Sequence, residues 1–112
     1  MSEERLQQKC IVRLWNEYPD ERRMWHHNDA NSVNAIAGAR KKSLGVVKGI
    51  WDFEWITPIG ATVWIEFKVG KNYLTKEQQE FKDKITERSS GEHFFFVVRT
   101  EDEFFDLVKN FV

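Results

Sequence analysis

The run Ala61 to Val69, ATVWIEFKV, is apolar apart from two charges placed two residues apart. Its β-branched and aromatic content predicts a strand. A strand alternates faces with period two, so Glu66 and Lys68 share one face of it. A carboxylate and an ammonium side by side on a hydrophobic strand are costly to place there without a partner or a use. Upstream, IWDFEW reads as a strand over 50–56 that Gly49 turns into, and Thr57-Pro58-Ile59-Gly60 reads as the hairpin loop between the two. The hairpin carries Asp52 across to Glu66 and Lys68.

The remaining elements follow from periodicity and caps. Residues 3–18 repeat Leu6, Cys10, Leu14 and Tyr18 every four positions, with Ile11 and Trp15 widening an amphipathic helical stripe that Pro19 and Asp20 stop. Residues 22–27 (RRMWHH) suit a short strand, and Asn28 to Ser32 a polar loop. Val33 to Lys42 is spaced as a helix, with Gly45 beyond its end. Thr75 with Gln78, and Thr100 with Glu103, have capping-box spacing at the starts of helices running to about Arg88 and over 101–111. His93 to Arg99 (HFFFVVR) is nearly continuously apolar, the pattern of a central strand buried on both faces. The order is α, β, α, β, β, α, β, α. It predicts an α/β fold with a small mixed sheet and helices on both faces.

At 112 residues the chain is expected to form one domain. No apolar stretch reaches the roughly 20 residues of a membrane helix, and no signal peptide opens the sequence. The single cysteine, Cys10, excludes an internal disulfide and suits a reducing cytoplasm. One Cys and three His, two of them adjacent, lack the paired spacing of a structural zinc site. Five Trp and nine Phe exceed what a small core commonly uses, so some are available for an interface. The net charge of −1 exerts no global pull on nucleic acid. Locally, however, Ala30 to Trp51 holds Arg40, Lys41, Lys42 and Lys48 and no acid. Such a segment either contacts phosphates or forms a solvated charged face.

Two carboxylates beside a lysine suit phosphodiester hydrolysis. The reaction needs an activated water and neutralisation of charge at phosphorus. Hard oxygen ligands suit Mg²⁺ or Mn²⁺. Asp52, Glu66 and the backbone carbonyl of Phe67 are candidate ligands. Lys68 is the candidate to orient or deprotonate water, or to stabilise the transition-state charge.

The strings LGVVKGIWDF and WIEFKVGKNYLTKEQQEF resemble the VRR-type nuclease domain of the PD-(D/E)XK superfamily. The matching positions are Gly45-Val46, Gly49, Asp52, Glu66, Lys68, Gly70, Leu74-Thr75 and Gln78. The first helix is similar as well, with Glu3 and Gln7 in matching places and Glu4 an alternative to Glu3. Gly38-Ala39-Arg40 with Lys42 is similar to phage-borne, stand-alone members. The resemblance implies a restriction-endonuclease-like core and a metal-dependent DNA endonuclease. In that reading Asp52 and Glu66 bind metal, Lys68 activates water, and Gln78 and Glu3 support the site. It further implies a branched substrate such as a four-way junction, cut by a homodimer in a bacterial or phage-infected cell. A general or single-strand nuclease and a non-catalytic nucleic-acid-binding module are the alternatives. The sequence departs from the family at Trp51, where a small residue or Pro is frequent. Its ring either packs in the core or lines a substrate groove.

Several of these residues have a plain structural reading too. Gln78 is explained by helix capping as well as by the site. Glu3 lies near the terminus, where fraying is expected, and is a metal or water ligand only if the first helix docks over the sheet. His26 and His27 face opposite ways on a strand, so at most one approaches the site. Arg40, Lys42, Lys48 and Lys71 are candidate phosphate contacts. Cys10 lies on an apolar stripe and reads as core, and so does Phe94-Phe95-Phe96.

Overall fold

The computed structural model describes residues 1–29 and 34–112. Helix α1 (Glu3–Glu17) leads into a 3-10 segment, Pro19–Met24, and then strand β1 (Trp25–His27). Helix α2 (Ala35–Ser43), strands β2 (Phe53–Ile56) and β3 (Thr62–Phe67), helix α3 (Lys76–Arg88), strand β4 (His93–Val98) and helix α4 (Glu101–Phe111) follow. The four strands form one mixed sheet in the order β1-β2-β3-β4. The first two pairings are antiparallel and β3 runs parallel to β4, with α3 as the crossover.

Period two sorts the sheet into its layers. Val63, Ile65 and Phe67 of β3 join Phe53 and Trp55 of β2 and Trp25 of β1 in one core. Leu6, Cys10 and Leu14 of α1 and Phe104, Phe105, Leu107 and Val108 of α4 close over it. Each fully buried aliphatic or aromatic side chain here contributes about 2 kcal/mol. The other face carries Trp64, which meets Phe81 of α3 edge-on at 5.0 Å. Helices thus cover both faces, as the hydrophobic pattern predicts. Ser2 caps α1 through Arg5 N–H, and Thr75 and Gln78 form the reciprocal capping box of α3.

Five local expectations change. Of residues 22–27 only Trp25–His27 is strand, because Pro19 starts a 3-10 turn that runs to Met24. The strand expected over 50–56 begins at Phe53, leaving Asp52 just ahead of it. Helix α2 starts after Asn34, whose side chain caps Ala37 N–H, and Val33 lies outside the described residues. Strand β4 is neither central nor buried on both faces: it is at the sheet's edge, Phe94 is exposed and Phe95 and Phe96 only half-buried rather than core, and β3 is the strand buried along its length. Thr100 caps α4 as expected, but Glu103 returns its bond to the N–H of Arg99 rather than to that of Thr100.

Candidate active site

The β2–β3 register pairs Phe53 with Ile65, which sets Asp52 opposite Glu66 on the α3 side of the sheet. The two acids are then locked reciprocally through the backbone. Asp52 N–H donates to Glu66 Oε1 at 3.1 Å, and Phe67 N–H donates to Asp52 Oδ2 at 2.8 Å. Lys68 lies one residue past β3, yet its N–H still donates to Val98 O at 3.0 Å, so the strand geometry continues to it. Its Nζ reaches to 3.6 Å from Glu66 Oε2. Glu66 and Lys68 are 3% and 7% exposed, and with Thr57 they are the buried polar residues among those described. The period-two expectation therefore holds at atomic detail.

Burial and crowding dominate the electrostatics. Removal from water pushes the Glu66 carboxyl up to about 7, and the Asp52 charge beside it adds to the rise. Lys68, the Asp52 N–H and the Gln78 side chain pull the other way. Asp52 is also raised, chiefly by burial, against the stabilising Phe67 N–H and the neighbouring His27. Two buried acids that resist ionising side by side are relieved by a cation between them.

A cavity of about 520 Å³ opens over this pair. Glu3, Lys48 and Gln78 line it together with Asp52, Glu66 and Lys68. The capping reading of Gln78 holds: its Oε1 accepts Thr75 N–H at 2.9 Å, and its side chain also lies beside Glu66, where it favours the charged carboxylate. Capping fixes the amide that steadies the acid. Thr75 and Glu77 place the first turn of α3 on the cavity wall, where the helix's positive end faces the acids. Glu3 reaches the cavity from α1, with Oε1 accepting from Asn72 Nδ2 at 3.1 Å.

The candidate phosphate contacts divide. Lys48 lines the cavity and pairs with Glu77 at 3.4 Å. Lys71 is exposed in the turn after β3. Arg40 and Lys42 are exposed on α2, away from the cavity lining. His26 turns to Arg23 O and Glu54, while His27 stacks on Phe53 at 4.9 Å. Cys10 is buried in the core, which holds its thiol up at about 12 and so protonated.

Trp51 belongs to the core and braces the site. It is 1% exposed, meets Phe95 edge-on at 5.0 Å, and donates from Nε1 to Gln78 O at 3.0 Å. Gly49 lies against the same helical turn with φ at +86°, where an added Cβ would fall 2.6 Å from the backbone carbon of Glu77. Asn28 is a cavity residue that sequence reasoning placed only in a loop. Its Nδ2 donates to Trp51 O and its N–H to Asp52 O. No local pattern marks it, because both partners lie more than 20 residues away.

The donor set fits a hard dication. Two carboxylates converge, each tied through one oxygen. The N–H and C=O of one strand residue leave on the same edge, so the Phe67 carbonyl points the same way as the N–H that meets Asp52. Among the described residues no three His, Cys, Asp or Glu side chains come together as a metal-binding group. The protein set is thus two acids and a carbonyl, which suits an ion that keeps several waters.

No helix among the described residues is long and apolar enough to cross a membrane. Neither a family model nor a curated protein matches the sequence. Among solved structures, a VRR_NUC domain protein superposes on 100% of this chain and 88% of its own, with a TM-score of 0.78 and 17% identity. The chain therefore has the fold of a VRR_NUC domain protein.

Proposed function

We propose that this chain is a divalent-metal-dependent DNA endonuclease. The observation that carries the reading is the buried Asp52–Glu66 pair, interlocked through the backbone, with Lys68 Nζ 3.6 Å from Glu66 and one shared cavity open to solvent. Asp52, Glu66 and the Phe67 carbonyl would hold Mg²⁺ or Mn²⁺. When bound, such an ion supplies Lewis acidity toward a phosphoryl oxygen and makes water more acidic. Lys68 orients the attacking water and offsets negative charge as it grows on the phosphoryl oxygens. Water oxygen bonds to phosphorus as the bond to the leaving sugar oxygen breaks; the attacking water gives its proton to solvent in the open cavity, and the leaving oxygen takes one from solvent. Gln78 holds Glu66 in place, and Lys48 draws the phosphate backbone toward the cavity mouth. Glu3 acts at the cavity wall, held by Asn72.

The finer part of the proposal concerns the substrate. A chain of this size has little surface for reading base sequence, which favours shape, and a four-way junction or other branch is the substrate class. Arg40 and Lys42, exposed away from the cavity, suit contacts to further strands of such a branch, and Lys71, exposed in the turn after β3, a phosphate contact on the strand that enters it. A symmetric homodimer would set two sites on opposed strands of a near-two-fold junction. The test is to incubate the protein with a labelled four-way junction, a flap, a duplex and a single strand, with and without Mg²⁺ or Mn²⁺. Metal-dependent cutting of the branched substrates is expected. No cutting with either metal ends the enzyme reading, and equal cutting of duplex and junction ends the structure-selective one.

A further inference from the structure

We infer that Tyr73 is a stacking platform for an unpaired base of the strand whose backbone enters the cavity; this rests on the nuclease reading above. Tyr73 is 79% exposed, so its ring is open to a ligand. The loop beneath it is tied down at several points. Arg99 donates from both terminal nitrogens, to Gly70 O at 3.1 Å and to Asn72 O at 2.7 Å. Asn72 Nδ2 donates to Glu3 Oε1, and Asn72 N–H closes a turn on Val69 O at 3.2 Å. Thr75 then enters the capping box of α3. Tyr73 is thus presented between a residue bonded to Glu3 and a residue on the cavity wall, and both Glu3 and Thr75 line the cavity.

The chemistry of the presentation selects the ligand. The Arg99 guanidinium stands over the Tyr73 ring, 5.6 Å from its centroid, and backs one face with positive charge. Lys71 is exposed two residues away. A solvent-facing ring with a guanidinium on it, and a lysine exposed two residues along the same loop, is the combination that binds a nucleobase together with its phosphate. Inside a duplex the base faces are already stacked on their neighbours, so an exposed platform gains energy from unpaired nucleotides. Single strands, flaps and the open centres of branched substrates offer them.

The direct test is binding without cleavage. Affinities for fluorescein-labelled oligothymidine, and for a strand of equal length made of abasic sites, are measured in EDTA by anisotropy. Wild type, Tyr73→Ala and Tyr73→Trp are compared. Tyr73→Ala should weaken oligothymidine binding about tenfold, Tyr73→Trp should restore it, and neither should alter binding of the abasic strand. The inference is overturned if Tyr73→Ala binds oligothymidine as wild type does. It is overturned too if the loss is equal on the abasic strand, or if wild type does not favour the strand that carries bases. Because no cutting is read, a failure of the nuclease reading shows separately, as absence of metal-dependent cleavage by wild type.

Discussion

The hairpin end that carries Asp52, Glu66 and Lys68 and the helix α2 are built to opposite rules. At the hairpin, backbone donors, a buried ion pair and Trp51 fix every acid in place. Helix α2 buries none of its residues, keeps Ile36 83% exposed, and carries Arg40, Lys41 and Lys42 in its last turn. Chemistry requires groups held within a fraction of an ångström, which a sheet with helices on both faces provides. In the proposed function α2 would need only charge within reach of phosphates, which an exposed helix offers without a core.

The contrast can be broken hardest at the hairpin. Lys68→Ala or Asp52→Asn should lower metal-dependent cleavage by about 100-fold or more, with thermal unfolding measured alongside to show that the fold remains. Gly49→Ala should cost about 2 kcal/mol or more in urea unfolding, since it combines a left-handed φ with a clash against the Glu77 backbone. Trp51→Phe keeps the ring on Phe95 and removes the hydrogen bond to Gln78 O. It should cost about 1 kcal/mol of stability and lower kcat more than it raises KM. At the other pole, Arg40→Ala with Lys42→Ala should change stability by less than about 0.5 kcal/mol. That pair should raise KM and flatten the salt dependence of DNA binding by about two charges. Loss of fold in that double variant, or unchanged salt dependence, would undo the comparison.

The hairpin was legible in the sequence because its logic is local. Glu66 and Lys68 share a face by strand period alone, and Thr75 with Gln78 announces its cap three residues apart. The brace around them was not legible. Asn28, Gly49 and Trp51 act through partners far along the chain, and nothing in their neighbours encodes those contacts. Strand β4 misleads for a related reason. Phe94 and Phe96 meet Phe111 on one face while Phe95 meets Trp51 and Trp64 on the other, so its run is apolar throughout. An apolar run reports aromatic partners on both faces, not full burial, and is silent on whether another strand lies alongside; Phe94 stays exposed.

Burial raises Glu66 to about 7 in the folded chain, above its ordinary value of 4.5. Between those values the unfolded chain has released a proton that the folded chain still binds, so stability falls as pH rises through that window and stays lower above it. In the proposed metal site, a dication between Asp52 and Glu66 would remove the penalty, with a benefit that grows as the acids ionise. The decisive measurement is therefore thermal unfolding with and without millimolar Mn²⁺ at pH 5 and at pH 8, for wild type and Glu66→Gln. The metal should raise the wild-type midpoint by about 5 °C or more at pH 8 and by little at pH 5. In Glu66→Gln the pH 8 gain should largely vanish. A midpoint indifferent to metal at pH 8, or an equal gain in Glu66→Gln, would contradict a metal site built on this buried pair.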